Sequence, residues 1–164
     1  MVQSTFSIHQ TIAAEKGIRL TDQIKRGIFI KADMDMLQLI VRNLINNAIK
    51  FTAPGGDIVV SNDLVGDRCR IIIKDNGAGI PLEKQGSLFT LKISPTYGTK
   101  NEKGVGLGLV LCKEFTELQN GTIMFESIQG VGTTFYVSFG LWPGVEGIVS
   151  AERENFIGIK PPAL

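Results

Sequence analysis

Asn43-Leu44-Ile45-Asn46-Asn47-Ala48-Ile49-Lys50-Phe51-Thr52 is the stretch on which the reading of this chain turns. It closes a helix that the pattern predicts from about Met34 to Phe51. Leu37, Val41, Leu44 and Ala48 fall at helical spacing with Ile40 beside them, an apolar stripe suited to face a sheet. Asp33 or Asp35 can cap its start, and Ala53-Pro54-Gly55-Gly56 ends it. Beside the apolar face, Asn43, Asn47 and Lys50 stand at i, i+4 and i+7, which lines two amides and one ammonium in a second stripe. Phe51 falls between that stripe and the core. Amide oxygens of this kind can complete the shell of a Mg²⁺ already bound to phosphates, because that ion takes few protein ligands. The same stripe also fits an ordinary solvated helix face, so it does not decide the function by itself.

Downstream, Asp57–Asn62 and Arg68–Lys74 are rich in Val and Ile around Gly66-Asp67 and read as a β-hairpin. Asp75-Asn76-Gly77-Ala78-Gly79 breaks it. A carboxylate at a strand end, followed by glycines that let backbone come close to a flat ligand, could accept from the exocyclic amine of adenine, where guanine carries a carbonyl. A surface turn is the competing reading, since Asp-Asn-Gly is good turn chemistry. Pro81–Lys103 is polar, contains Gly86, Pro95 and Gly98, and shows no sustained periodicity, which predicts a long mobile loop with one short helical turn near Leu88-Phe89.

Gly104-Val105-Gly106-Leu107-Gly108-Leu109 then leads into a helix expected over about Val105–Leu118, whose unpaired first amides could receive phosphate oxygens. The spacing excludes a dinucleotide fingerprint, because Gly108 comes too early and a polar loop precedes it; a Walker loop would need Gly-Lys-Ser/Thr. Two strands follow, Thr122–Ser127 and Thr133–Phe139, joined at Gly130 and Gly132. The turn Gly130-Val131-Gly132-Thr133-Thr134-Phe135 brings hydroxyls that could join an adenine pocket. By itself it is only a hairpin.

Upstream, Ser7–Lys16 suits a short helix with Ile8 and Ile12 on one side and Gly17 at its end. Ile18–Ile24 and Gly27–Ala32 suit two short strands around Lys25-Arg26. Helices interleaved with antiparallel pairs predict an α+β class, a two-layer sandwich with helices on one sheet face. The 164 residues fit one domain, and 43% hydrophobic with 20% charged residues is globular composition. A net charge of +1 with no long basic run gives no footprint for nucleic acid, so any bound phosphate should belong to a small ligand. Cys69 and Cys112 lack the spacing of a zinc or redox motif and read as buried thiols in a reducing compartment. Met1–Gln10 lacks the basic start and apolar run of a signal peptide, and no apolar run approaches the roughly eighteen residues of a membrane span.

Taken together and in this order, the motifs resemble the ATP-binding domain of sensor histidine kinases, within the superfamily of gyrase, chaperone and mismatch-repair ATPases. Asn43–Thr52 is similar to that family's N box, Asp75–Gly79 to its G1 box, Gly104–Gly108 to its G2 box and Gly132-Thr133 to its G3 element, with Leu88-Phe89 where its F box lies. The resemblance covers about Gly17–Gly140, with residues 1–16 as a lead-in helix or linker, a lid at about Leu82–Lys103, and residues 141–164 as a tail. It implies the Bergerat-type fold, with a mixed, mostly antiparallel sheet backed by helices, and ATP with Mg²⁺ as cofactors. Asn43 and Asn47 would hold Mg²⁺, Lys50 a phosphate, Phe51 the adenine face, Asp75 the adenine amine and Thr133 the same pocket through water. Gly77, Gly79 and Ile80 would line the base, while Lys103, Gly104, Val105, Gly106, Leu107 and Gly108 would meet the phosphates.

The resemblance further implies partners: a helical-hairpin dimerisation domain bearing the phosphoacceptor histidine, and a response regulator receiver domain. A cytoplasmic location follows, with the parent kinase free to carry a membrane anchor elsewhere. Two departures matter. Hydrolytic relatives carry a general-base Glu where this chain has Asn43, which favours phosphoryl transfer over hydrolysis. His9 is followed by Gln10 rather than an acid and lies too near the N box to be the acceptor, so it reads as a surface or packing histidine. A nucleotide-sensing module without transfer and a serine kinase of the anti-sigma-factor type are the competing functions. The tail, with Trp142, Ile148, Phe156 and Ile157, has no functional reading.

Overall fold

Alternation of apolar and polar residues along the strands, against one long amphipathic helix, produces a sheet with one covered face. The computed structural model describes residues 2–90, 96–97, 99, 103–104 and 107–142. In chain order the elements are α1 (Val2–Glu15), β1 (Arg19–Gln23), α2 (Met34–Phe51), β2 (Asp57–Val65), β3 (Arg68–Asp75), α3 (Leu82–Gln85), β4 (Thr96–Tyr97), β5 (Lys103–Gly104), α4 (Gly108–Glu117), β6 (Thr122–Ile128) and β7 (Gly132–Gly140). A five-stranded sheet runs in the order β1-β2-β3-β7-β6. β1 pairs parallel with β2, and every other neighbour in it is antiparallel. The expected α+β sandwich with a mixed, mostly antiparallel sheet is the fold observed.

α2 forms as its pattern requires. Asp33 accepts the Met36 N–H at 2.9 Å as N-cap, and Leu37, Ile40, Val41, Leu44, Ile45, Ala48 and Ile49 are buried. They meet Ile58 and Val60 of β2, Ile73 of β3 and Phe135, Val137 and Phe139 of β7 in one core. Each of these strand residues lies two positions from the next, so all point to the helical face. Burying so many branched side chains, at about 1.5–3 kcal/mol each, is what holds the two layers together.

Several expectations need correction. α1 exists, but Ile8 and Ile12 are exposed, at 62% and 42%, while Phe6, His9, Ala13 and Lys16 are buried. Both sets have helical spacing, and contact with β1 and α2 selects the second. Gly27–Ala32 is not a strand beside β1: Asp22 Oδ1 takes the Ile24 N–H at 2.9 Å, and Asn62 clamps both the N–H and the carbonyl of Lys25. The chain is turned aside, and Ile30 makes an isolated bridge to Leu141 instead. The helical turn expected at Leu88-Phe89 stands earlier, as α3, and hydrogen-bonded turns carry the chain on through Phe89. α4 begins at Gly108 rather than Val105. Cys69 and Cys112 are free and buried, as read from their spacing. Residues 91–95, 98 and 100–102 of the expected lid, and the tail from residue 143, lie outside the described residues.

Candidate nucleotide site

Asp75 is the last residue of β3, and the register sets it opposite Ile58 of β2 on one side and Thr133 of β7 on the other. Thr133 in turn stands opposite Ser127 of β6. One row across four strands therefore brings Asp75, Thr133 and Ser127 side by side at the same end of the sheet. Asp75 is buried, and its Oδ1 accepts the backbone N–H of Gly77 at 2.9 Å and of Thr133 at 3.2 Å. Burial pushes its pKa above the ordinary carboxylate value, and those two N–H groups oppose the shift. Such a group, held at a strand end in a pocket of backbone donors, is a candidate recognition carboxylate.

The turn after Asp75 is pinned from both sides. Ala78 donates its N–H to Phe51 O at 3.0 Å, and Gly130 donates to Ala78 O at 2.8 Å. A Cβ on Gly77 would collide with the Phe51 carbonyl, and one on Gly79, where φ is +64°, with the Ile128 carbonyl. The close approach that demands these glycines is thus made by protein backbone. The glycines read from sequence alone suggest a ligand in that place.

On α2, Asn43, Asn47, Lys50 and Phe51 are all half-buried, between the buried Leu44 and Ala48 and the exposed Asn46. Lys50 Nζ lies 4.9 Å from the centroid of the Phe51 ring. Asn43 Oδ1 is 3.6 Å from where a Cβ on Gly108 would stand, so α4 begins directly against the amide stripe. Leu107, the N-cap of α4, makes no side-chain capping bond, so among the described residues no side chain caps its first N–H groups, which suit oxygens from outside. One turn on, Cys112 is fully buried, donates to Ile40 O at 3.8 Å, and has its pKa pushed up to about 12 by burial, against contact with the Asn43 amide. That thiol packs the α2–α4 seam and is no nucleophile.

The structure therefore brings residues of all four sequence motifs together through three contacts. Phe51 meets Gly77 and Ala78, Asp75 meets Thr133, and Asn43 meets Gly108. Ile80 joins them by donating its N–H to Ser127 Oγ at 2.8 Å. Lys103 and Gly104 lie in β5, paired with β4, while Val105 and Gly106 are outside the described residues. Ser127 is a residue the sequence reading missed. Its hydroxyl also meets Gly132 O at 3.1 Å and Thr133 Oγ1 at 2.9 Å. Counting back through the Gly130–Gly132 turn would have set it opposite Thr133. Gln85, also missed, donates to Ile80 O at 2.8 Å and Ser127 O at 3.1 Å, tying α3 to the same corner.

A family model described as histidine kinase-, DNA gyrase B- and HSP90-like ATPase matches residues 32–143. The chain belongs to that ATPase family. Within it, this ATPase domain is 40% identical over 129 residues to an uncharacterized sensor-like histidine kinase of Rhizobium meliloti, covering 77% of this chain and 24% of that protein. It is 34% identical over 144 residues to the sensor protein EvgS of Escherichia coli, covering 84% of this chain and 12% of that protein. The chain thus spans about a quarter or less of these curated relatives. Among solved structures, full-length ShkA in complex with AMPPNP gives a TM-score of 0.70 at 23% identity, over 85% of this chain and 29% of that one. The nucleotide-free catalytic domain of the histidine kinase ThkA also gives 0.70, at 22% identity, over 85% and 89%. The last two establish the shared fold.

The resemblance drawn from the motifs, to the ATP-binding catalytic domain of a sensor histidine kinase, is borne out by the family match and these relatives. Among the described residues of this ATPase domain no helix is long and apolar enough to cross a membrane. No cluster of three or more His, Cys, Asp or Glu side chains able to hold a metal occurs among them either.

Proposed function

We propose that this domain binds Mg²⁺ATP and passes the γ-phosphoryl group to a histidine on a separate helical-hairpin dimerisation domain of its kinase, from which a response regulator receiver domain takes it. The observation that supports this best is the convergence of the amide stripe, the Asp75 turn and the uncapped start of α4 at one corner. Asp75 would accept from the adenine amine, with Phe51, Gly77, Gly79, Ile80 and Thr133 around the base. Asn43 and Asn47 offer neutral, hard oxygens of the kind Mg²⁺ takes when phosphates complete its shell, and Asn43 stands beside Gly108 at the start of α4. When bound, that ion would neutralise charge developing on the phosphates.

The chain's own contribution would be positioning and charge. Lys50 would offset phosphate charge, and Lys103 with the backbone of Gly104, Val105, Gly106, Leu107 and Gly108 would meet the phosphate oxygens. α2 carries a single carboxylate, Asp35 in its first turn, far from Asn43 and Asn47. A water at the amide stripe would have no general base on this helix, whereas an incoming imidazole brings its own nucleophilic nitrogen. A cytoplasmic parent kinase is the setting this reading implies.

The test is transfer in trans. With Mg²⁺ATP and a hairpin domain bearing an acceptor histidine from its own parent, the expected product is an acid-labile, alkali-stable phosphoramidate, with slow hydrolysis and no self-labelling in the hairpin's absence. Stable labelling of a serine would indicate an anti-sigma type of kinase. Tight ATP binding with no transfer to the cognate hairpin would indicate a sensing module.

A further inference from the structure

A helix ends in backbone carbonyls that find no partner within it, and where those carbonyls bond reveals what the helix end is tied to. At the end of α2 they are taken by three separate segments. Ile49 O accepts Lys16 Nζ at 2.8 Å, and Lys50 O accepts Lys16 Nζ at 2.9 Å. The same Lys50 carbonyl receives Thr99 N at 3.0 Å and Thr99 Oγ1 at 3.2 Å, while Thr52 O receives Thr99 Oγ1 at 3.1 Å. Phe51 O goes to Ala78. The end of α1, the segment at Thr99 and the Asp75 turn thus meet on four consecutive residues, two of which are Lys50 and Phe51.

Lys16 is the charged member of this junction and lies outside every motif. It is 7% exposed. Its backbone is held too: the Lys16 N–H donates to Ala13 O at 3.1 Å, and just after it Gly55 donates to Gly17 O at 2.7 Å and Ile18 to Ala13 O at 2.8 Å. An ammonium there faces the negative end of the α2 dipole, and one point charge can serve two carbonyls at once. A carbonyl held by a charged donor is polarised and fixed in direction, which gives its other donors a fixed target.

We propose that Lys16 is a positioning residue of the nucleotide site: it fixes the Ile49 and Lys50 carbonyls and, through the latter, the seat of Thr99 against the helix carrying Asn43, Asn47 and Lys50. Its effect on nucleotide rests on the ATP reading given above. The Lys16–Lys50–Thr99 junction itself does not.

Lys16→Met keeps the aliphatic stem and removes the donors. In the full chain without nucleotide, it should speed amide exchange at Thr99 about tenfold or more, and in titrations it should raise the Kd for Mg²⁺ATP by about tenfold, the scale set by a charge-assisted hydrogen bond. Lys16→Arg should restore most of both. Thr99→Val should weaken Mg²⁺ATP binding in the parent chain yet add little in the Lys16→Met background, because both act through one carbonyl. Lys16→Gln, which keeps a neutral donor, serves if Lys16→Met does not fold, with the same signs and smaller size. Unchanged exchange at Thr99 in a folded variant overturns the proposal, as do additive effects of Lys16→Met and Thr99→Val on the Kd. Absence of Mg²⁺ATP binding in the parent chain overturns the nucleotide reading, and the exchange measurement still decides the junction.

Discussion

Asp75 Oδ1 and the backbone N–H of Thr133 meet at 3.2 Å across 58 residues of sequence. Together with the Gly77 N–H on the same oxygen, this bond fixes the carboxylate plane and assigns both backbone donors to one oxygen. The other oxygen is then the one suited to an adenine amine. Asp75→Ala should cost about 1.5–3 kcal/mol of ATP binding, the range for a hydrogen bond with a charged partner. Calorimetric titration with ATP and GTP checks this, and equal affinity of the parent chain for the two nucleotides would remove Asp75 from the pocket.

The raised pKa of Asp75 has opposite consequences for binding and for folding. Acceptance from an amine needs the carboxylate, so adenosine affinity should fall on acidification before the ordinary range near about 4 is reached. Adenosine avoids the titration of phosphate. For the free chain, a carboxyl raised by burial contributes stability that is fully present below its unfolded pKa and lost as pH rises through the folded value. Asp75→Asn should flatten both profiles over that window. An adenosine titration whose pH dependence survives Asp75→Asn would show that another group controls it.

Asn47→Ala removes an amide oxygen and leaves the helix intact, since alanine is the better helix former. Mg²⁺-dependent ATP binding should weaken while metal-free adenosine binding is largely retained. Parallel titrations separate the two, and equal losses would make Asn47 a structural residue.

Ser127→Ala deprives the Ile80 N–H and the Thr133 hydroxyl of one shared partner. Because Ser127 is half-buried and water can replace part of what is lost, a stability loss of about 1 kcal/mol is expected. Adenosine affinity should fall alongside. Chemical denaturation measures the first, and an unchanged midpoint would mean the hydroxyl row contributes nothing to the fold.

Gly79 and Gly130 both have positive φ, at +64° and +81°, yet only the first would drive a Cβ into a carbonyl, that of Ile128. Gly130→Ala should cost about 1–2 kcal/mol, the strain of the left-handed backbone alone. Gly79→Ala should cost more, because the turn or β6 must also shift. Denaturation midpoints of the two variants give the comparison, and equal costs would show that the turn yields freely.

What the sequence determined by itself is whatever rests on local periodicity and on ordered motifs. The extent of α2, the β2–β3 and β6–β7 hairpins and the α+β class follow from patterns that repeat within a few residues, whereas the choice of Asp33 over Asp35 as the α2 cap came from the structure. Asn43, Asn47, Lys50 and Asp75 stand out as site candidates because their motifs occur in a fixed order, not because any one of them is decisive. Only the tertiary structure decided which of two helical stripes on α1 is buried, why Gly27–Ala32 leaves the sheet, that Lys16 bonds the carbonyls at the end of α2, and that Ser127 stands in the row with Asp75 and Thr133. Those outcomes depend on partners far along the chain: Lys16 on the carbonyls of Ile49 and Lys50, and Lys25 on the Asn62 amide. A lysine at a helix end or a serine in an edge strand looks the same in sequence wherever it points. Its role is set by which unpaired backbone group the folded chain brings within hydrogen-bonding distance.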